Sequence, residues 1–228
     1  MQNKLTKKEL KDIVQWDIKN WSNVLPFWEE HFDFKPNSKV LALGEREGGL
    51  SLYFAKRGCK VICSDYKPLP GSTKEIHNFY GVSDLIEYRQ IDMKNIDLPG
   101  DSVDVVVFKS VLGALGNAQD QAAAISEINR VLKKGGVFLF AENLRGSALH
   151  QFLRNKYVKW AVNWRYVSGQ DMVGWTKDFH SYDSKTFGVL ALFGRTEKQR
   201  RFLGFFDRLI TPITPVKWRY ILFGSAFK

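Results

Sequence analysis

The sequence is poor in the features of membrane-spanning and disulfide-stapled proteins. Its 228 residues contain two cysteines, Cys59 and Cys63. Two cysteines cannot staple a fold of this size, and their spacing matches no zinc pattern, so we expect reduced structural thiols and no metal. The longest uncharged apolar stretch is about Phe187–Gly194, far short of the roughly 20 residues that a membrane span needs. Lysines near the N-terminus precede no apolar segment, so we expect no signal peptide and a cytoplasmic location.

Acidic residues are scarce in the last third of the chain. Residues 149–228 contain 14 Lys and Arg but 5 Asp and Glu, whereas residues 1–148 contain 20 and 19. The same C-terminal part holds 17 of the 32 aromatic residues. This pattern suggests an anionic partner: a phosphorylated substrate, a membrane surface or nucleic acid. A tail that packs its aromatics and solvates its basic residues explains the pattern equally well.

Short apolar runs alternate with helical periodicity, which predicts βαβ units and a parallel, doubly wound α/β sheet. The predicted strands are residues 39–43, 60–64, 86–90, 103–108, 137–141 and a final strand at 218–227. We expect helices at 6–20, 118–132, 146–161 and 199–210, with Gly135 and Gly136 ending the second of these. Residues 166–180 are expected to be irregular, and periodicity does not decide between helix and strand for 184–193.

Three features follow three successive strands and predict a nucleotide site. The glycine-rich turn Gly44-Glu45-Arg46-Glu47-Gly48-Gly49 follows the first strand, Asp65 the second and Asp92 the third. In an open α/β sheet, ligands bind beyond the carboxyl ends of the strands. A carboxylate at Asp65 can take both ribose hydroxyls, and Asp92 can meet an adenine edge.

The charge of the glycine-rich turn distinguishes between nucleotides. A dinucleotide fingerprint has a glycine where this chain has Arg46, and Glu45 and Glu47 disfavour a pyrophosphate at the helix N-terminus. They suit S-adenosylmethionine (SAM), which carries a sulfonium and an ammonium group and no phosphate. The turn therefore favours SAM over NAD, although acids that stabilise a helix N-terminus would also explain these glutamates.

The chain resembles the class I SAM-dependent methyltransferases over residues 38–145. The resemblance lies in VLALGEREGG at 40–49, VICSDY at 61–66, IDMKNIDLPGDSVDVVVFKSVLGAL at 91–115 and INRVLKKGGVFLFAEN at 128–143. It implies a mostly parallel, seven-stranded Rossmann-like sheet with a helical cap. It also implies a SAM site in which Gly44, Glu45, Arg46 and Gly48 form the turn, Asp65 and Tyr66 adjoin the ribose, Asp92 and Met93 adjoin the adenine, and Phe108–Ser110 line the methionine end. The family often has an acid where this chain has Ala42, so Glu45 or Glu47 is expected to meet the SAM amino group instead.

The N-terminal segment WDIKNWSNVLPFW at 16–28, together with the turn, looks like methyltransferases encoded in bacterial surface-polysaccharide clusters. That resemblance implies a lid over SAM with Trp16, Asp17 and Trp21; core anchoring by the tryptophans is the alternative. The predicted organisation is one domain: a helical lid at 1–37, a SAM-binding core at 38–145, an acceptor-site cap at 146–215 and the last strand at 216–228.

The predicted reaction is SAM-dependent O-methylation of a small-molecule or carbohydrate-type acceptor. His180, in the polar segment DFHSYD, is the candidate general base; His150 and Glu142 are weaker candidates. FKSVLG after the fourth strand lacks the proline motif of amino-group nucleic-acid methyltransferases. Three alternatives remain: a catalytically degenerate SAM-fold module that docks an anionic partner or membrane through its basic C-terminal region, an RNA O-methyltransferase, and an NAD-dependent oxidoreductase.

Overall fold

The computed structural model describes residues 5–157 and 163–228. The described residues form one seven-stranded sheet of order β3-β2-β1-β4-β5-β7-β6. The strands are β1 (Lys39–Leu43), β2 (Lys60–Asp65), β3 (Ile86–Gln90), β4 (Val103–Lys109), β5 (Leu132–Asn143), β6 (Ser181–Phe187) and β7 (Ile221–Phe227). Strands β1 to β5 are parallel, and β7 runs antiparallel between β5 and β6. The predicted fold class is confirmed.

The helices cover both faces of this sheet. They are α1 (Lys7–Val14), α2 (Ile18–Trp21), α3 (Val24–His31), α4 (Gly49–Ala55), α5 (Gly71–Phe79), α6 (Ala118–Val131), α7 (Ala148–Tyr157), α8 (Gly169–Trp175) and α9 (Glu197–Ile210). Central strands are apolar on both faces because each face packs against a helix layer. In β1, for example, Val40 and Ala42 pack on the α4 face while Leu41 and Leu43 pack on the α6 face.

Three local predictions need correction, and the structure decides a fourth that was open. Residues 6–20 lie in two helices, because the backbone has a positive φ at two positions: Gln15, with φ of 71°, ends α1, and Asp17, with φ of 43°, precedes α2. The glycines after α6 do not cap it: Leu132 is already extended and starts β5. Residues 166–180 contain α8, which begins with a capping box between Ser168 and Asp171. The open segment, residues 184–193, is a strand as far as Phe187 and contains a short 3₁₀ helix at Ala191–Phe193.

The C-terminal prediction of a last strand holds for Ile221–Phe227. Strand β6 belongs to the sheet edge, so the segment predicted as a cap at 146–215 also supplies a strand. The helix expected at 146–161 is observed as α7, and residues 158–161 of that prediction lie outside the described residues.

Candidate active site

The glycine-rich turn after β1 depends on two glycines with left-handed backbones. Gly44 has φ of 66° and Gly48 has φ of 74°. A Cβ at Gly44 would lie 2.5 Å from a Val111 methyl group, and one at Gly48 would lie 2.6 Å from the His77 ring. A side chain would thus meet both backbone strain and a steric clash. Arg46, at the position of the missing middle glycine, keeps the glycine-like conformation with φ of 37°.

Asp65 ties the turn to the end of β2. Its Oδ2 accepts a hydrogen bond from the Arg46 backbone N–H at 3.1 Å, and Oδ1 accepts one from Lys67 N–H at 3.0 Å. An ionised carboxylate has about four acceptor positions, so two remain for ligand hydroxyls. The side chain is half-buried and faces the turn. The structure therefore brings Asp65 and Arg46 together as the sequence predicted.

Glu45 points inward and binds the start of α4. It is 6% exposed, and its Oε2 accepts a hydrogen bond from Ser51 N–H at 2.7 Å. Burial raises the pKa of this carboxyl to about 7. Because Glu45 occupies the helix N-terminus, an anionic pyrophosphate has no place there. This geometry supports the charge argument against a dinucleotide, while Glu47 is exposed beside it.

Lys109, at the end of β4, lies among buried carboxylates and tryptophans. Its Nζ is 5.2 Å from the ring centroids of both Trp16 and Trp21. Burial lowers its pKa to about 8, against the opposing influence of Glu45 and Glu142, among other carboxylates. The N-terminal segment predicted as a lid therefore does reach the carboxyl end of the sheet.

Glu142 fixes the segment that follows β4. Its Oε2 accepts hydrogen bonds at 2.8 Å from the N–H groups of Val111 and Leu112, and Oε1 accepts one from Asn143 N–H. Asn143 Nδ2 in turn donates to Ser110 Oγ at 2.6 Å. Glu142 is fully buried, and burial raises its pKa to about 7. These bonds hold Ser110, whose φ is 58°, in a strained left-handed conformation.

Asp17 links the N-terminal segment to the far end of the chain. Its carboxylate accepts a hydrogen bond from the Tyr220 hydroxyl, and that hydroxyl accepts one from Asn20 Nδ2 at 2.9 Å. Within the described residues, Asp17 Oδ1 has no hydrogen-bond partner. Burial raises the Asp17 pKa to about 7. Asp17, Arg46 and Ser110 thus place three strained residues at one edge of the sheet, as functional sites often do.

The remaining predicted cofactor residues differ in accessibility. Asp92 is half-buried after β3, and its Oδ1 accepts a hydrogen bond from Lys94 N–H at 2.9 Å. Met93 is 6% exposed and packs in the core, whereas Tyr66 is 66% exposed. The structure therefore offers the Asp92 carboxylate and the Tyr66 ring, but little of Met93, to a ligand.

His180 lies at the opposite end of the sheet. It is exposed, its N–H donates to Phe227 O at 2.7 Å, and Phe227 pairs with Val137 towards the amino end of β5. The structure does not bring it together with the other predicted site residues, because β6 starts at the amino edge of the parallel strands. His150 is buried and bonds the Val189 carbonyl; burial lowers its pKa.

Sequence reasoning missed two residues at the site. His77 is fully buried, with Nε2 2.9 Å from the Gly48 carbonyl and Nδ1 2.9 Å from the Tyr88 hydroxyl, so it positions the glycine-rich turn. Lys109 lies within the range Phe108–Ser110 that was predicted to line the methionine end, but no role was predicted for it. A charged residue at the end of the apolar strand VDVVVFK could have indicated one. In residues 5–157 and 163–228, no group of His, Cys, Asp and Glu could hold a metal ion.

Comparisons with known proteins agree with this geometry. Residues 41–140 match the family model described as a methyltransferase domain. A ubiquinone/menaquinone biosynthesis C-methyltransferase, UbiE, from Shewanella sp. (strain W3-18-1) is 27% identical over 167 residues, 69% of this chain and 62% of that protein. The chain thus spans less than two thirds of the length of the curated relatives it matches.

Solved structures share the fold at low identity. Haemonchus contortus phosphoethanolamine N-methyltransferase 2, in complex with S-adenosyl-L-methionine, has a TM-score of 0.67 and 17% identity over 100% of this chain and 58% of that one. YcgJ from Bacillus subtilis has a TM-score of 0.63 and 14% identity over 91% of this chain and 98% of that one. Residues 41–140 thus match a methyltransferase domain, and the strand order and the glycine-rich turn are those implied by the resemblance to class I SAM-dependent methyltransferases.

Proposed function

We propose that this protein transfers the methyl group of SAM to a hydroxyl of a small-molecule or carbohydrate-type acceptor. The observation that carries the proposal is the charge at the carboxyl edge of the sheet. Asp17, Glu45 and Glu142 are buried there, and in the described part of the chain none of them forms a salt bridge. Lys109 lies among these three carboxylates, and a cationic ligand would balance the negative charge that one lysine leaves; SAM has two cationic groups.

The donor set at this edge fits SAM. The Asp65 carboxylate, with two acceptor positions left, would hold the ribose hydroxyls. Asp92 would meet the adenine, and Glu45 the ammonium group. SAM, when bound, supplies an electrophilic methyl group, so the protein's main task is to align the acceptor.

A hydroxyl acceptor needs a base, and we assign that role to Lys109 Nζ. Lys109 ends β4 at the predicted methionine end of the site, and its side chain is partly exposed. Its pKa of about 8 allows it to lose a proton near neutral pH and then take one from a hydroxyl. The surrounding carboxylates would stabilise the ammonium that forms. A base within the site supports O-methylation, whereas an activated carbon acceptor would need less help.

SAM binding is tested by calorimetry with two matched carboxylate variants. Asp65→Ala should weaken binding at least tenfold, about 1.4 kcal/mol. Asp104→Ala is the control, because Asp104 also accepts a backbone N–H, from Lys39 at 2.8 Å, but lies at the amino end of β4. The control should bind SAM like the parent protein. Absence of SAM binding by the folded parent would overturn the proposal.

The base is tested with two substitutions of Lys109. Lys109→Met should remove most turnover, and Lys109→Arg should not restore it, because a guanidinium keeps its proton. The kcat of the parent should rise through about pH 8 as the amine loses its proton. Full activity of Lys109→Arg would exclude the base while leaving methyl transfer intact. An acceptor screen with ¹³C-methyl SAM then separates oxygen from carbon methylation by the chemical shift of the product.

A further inference from the structure

Helix α9 has its polar and apolar faces reversed. It has 14 residues, the same length as α6 on the other part of the sheet. The buried side of α6 includes Ile125, Ile128 and Val131, as expected of a surface helix. The buried residues of α9 are only Gly204 and Asp207. Leu203 is half-buried against the core, so α9 buries less apolar surface than α6 does.

Polar bonds fix the inward face of α9. Asp207 is fully buried; its Oδ1 accepts hydrogen bonds from Val189 and Leu190 N–H, and its Oδ2 accepts one from Ala191 N–H at 2.9 Å. The same oxygen accepts a bond from Asn20 Nδ2 at 2.6 Å. Rotation of α9 to bury its apolar side would leave these groups without partners, which is costly in a buried site.

The outward face of α9 and the segment after it expose large apolar side chains. Their exposed fractions are 66% for Phe202, 60% for Phe205, 38% for Phe206, 62% for Leu209, 82% for Ile213, 59% for Val216 and 46% for Trp218. The first four follow a helical spacing of three and four residues, so they form one stripe. We call these seven residues the α9 surface. An exposed apolar stripe of this kind marks an interaction site.

Basic side chains dominate the charges of α9 and the segments beside it. Between residues 195 and 219, the residues that are exposed and charged are Arg195, Lys198, Arg201, Arg208 and Lys217. Of the two acids of this segment, Asp207 is buried. The Glu197 side chain is 39% exposed, but it pairs with Arg200 at 3.5 Å and accepts hydrogen bonds from the backbone N–H groups of Asp17 and Ile18. The surface therefore presents an excess of cations beside aromatic and aliphatic groups.

We infer that the α9 surface lies on an anionic lipid bilayer. An apolar stripe bordered by Lys and Arg is the pattern of a helix that rests in the interface between headgroups and acyl chains. A bilayer offers anions and an apolar layer at once, which matches both properties of the surface. No described helix is long and apolar enough to cross a membrane, so the contact is peripheral. The inward face of the same helix bonds the Asp17 turn, so the bilayer would lie beside the lid of the site.

The test is co-sedimentation of the purified full chain with vesicles. Phosphatidylcholine vesicles containing phosphatidylglycerol should bind the protein at least about tenfold more tightly than pure phosphatidylcholine vesicles, and salt should weaken the binding. Phe205→Ser together with Leu209→Ser should lower the binding at least about tenfold, because both side chains would insert. Phe79→Ser is the matched control: Phe79 is 67% exposed but lies in α5, away from this surface. It should bind vesicles like the parent.

Three results would overturn the inference. The first is failure of the folded parent to bind the anionic vesicles. The second is a concentration-dependent dimer that the Phe205→Ser and Leu209→Ser changes dissociate, since the surface would then cover a second copy. The third is preference for single-stranded RNA over vesicles in competition. SAM is absent from all these measurements, so they do not depend on the proposed reaction. Unchanged thermal unfolding of each variant ensures that lost binding is not lost folding.

Discussion

The two edges of the parallel sheet use charge in different ways. At the amino edge, charged side chains are partly exposed and paired: Asp104 with Lys133 at 2.7 Å and Asp101 with Lys228 at 2.9 Å. At the carboxyl edge, the carboxylates of Asp17, Glu45 and Glu142 are buried and accept hydrogen bonds from N–H and O–H groups. Burial opposes the low pKa of Asp104, but its bonds to Lys133 and Lys39 outweigh burial and lower it. The buried carboxylates at the other edge have raised pKa values instead.

This difference indicates that the two edges have different roles, one in stability and one in ligand binding. Salt bridges between half-exposed side chains contribute little to the free energy of unfolding, and the desolvation of these charges costs little. Three buried carboxylates around one lysine raise the free energy of the ligand-free protein, and strongly shifted groups of this kind cluster at functional sites. The comparison therefore favours the proposal that a cationic ligand binds at the carboxyl edge, while the paired charges of the amino edge are those of an ordinary protein surface.

The largest expected effect comes from removing Glu142. Glu142→Ala leaves three buried N–H groups without an acceptor, which should lower the free energy of unfolding by about 2–4 kcal/mol. Asp104→Ala at the amino edge should lower it by less than about 1 kcal/mol. Urea titration of both variants measures the contrast. Equal losses would mean that the two edges do not differ in the way their charges are held.

A second prediction concerns protons released on SAM binding. A cationic ligand favours ionised Asp17, Glu45 and Glu142, whose pKa values are about 7 in the ligand-free protein. SAM binding at pH 7 should therefore release protons, and the affinity should fall as pH falls below 7. Calorimetry in buffers of different ionisation enthalpy counts the protons. Proton uptake, or affinity independent of pH, would contradict the assignment of these groups to the ligand site.

The same pKa values set opposite pH dependences of stability at the two edges. Asp17, Glu45 and Glu142 have a higher pKa in the folded protein than in the unfolded chain, where the values are 3.8 for Asp and 4.5 for Glu. Their contribution to the free energy of unfolding is therefore fully present below those values and is lost as the pH rises through about 7. Asp104, with a lowered pKa, stabilises above its unfolded value of 3.8, and that stability is lost as pH falls. The difference in free energy of unfolding between the parent and Glu142→Gln should change between about pH 4 and 8, and that between the parent and Asp104→Asn below about pH 4, with opposite signs; urea titrations across about pH 2 to 8 measure both. Parallel trends would contradict this assignment.

The sequence predicted the parts of this molecule that depend on neighbours along the chain. Strands β1, β2 and β4 contain apolar runs bounded by glycine or polar residues, and the turn at Gly44–Gly48 directly follows the first of them. Because parallel strands end at one edge, Asp65 and Asp92 could be placed beside that turn. The roles of the individual SAM-site residues stay predictions.

The parts that failed depend on contacts between distant segments. Tyr220 meets Asp17 across 203 positions, and Asp207 meets Asn20 across 187. Periodicity does not report such pairs, so the reversal of α9 and the inward position of Asp207 could not be predicted. His180 was assigned to the site because its segment is polar, but antiparallel pairing of β6 with β7 places it at the other edge.

A smaller effect is expected from His77, which acts on the turn and not on the ligand. His77→Leu removes the contact to the Gly48 carbonyl and should weaken SAM binding about threefold to tenfold, near 1 kcal/mol. Tyr88→Phe removes only the partner of Nδ1 and should change SAM binding less. Calorimetry of both variants checks the order. A larger effect for Tyr88→Phe would show that the turn is positioned in another way.

The smallest effect is expected from His180→Ala. The side chain is exposed, and the hydrogen bond to Phe227 comes from the backbone, which alanine retains. Turnover and its pH profile should therefore stay within about twofold of the parent, a change below about 0.4 kcal/mol, and SAM affinity should not change. A loss of tenfold or more would contradict the division between the edges. His180 cannot reach the carboxyl edge of its own chain by rotation of its side chain, because the sheet lies between them. Such a loss would therefore require the amino edge of one chain to contact the carboxyl edge of another. Activity measured across a range of protein concentrations would then reveal that association.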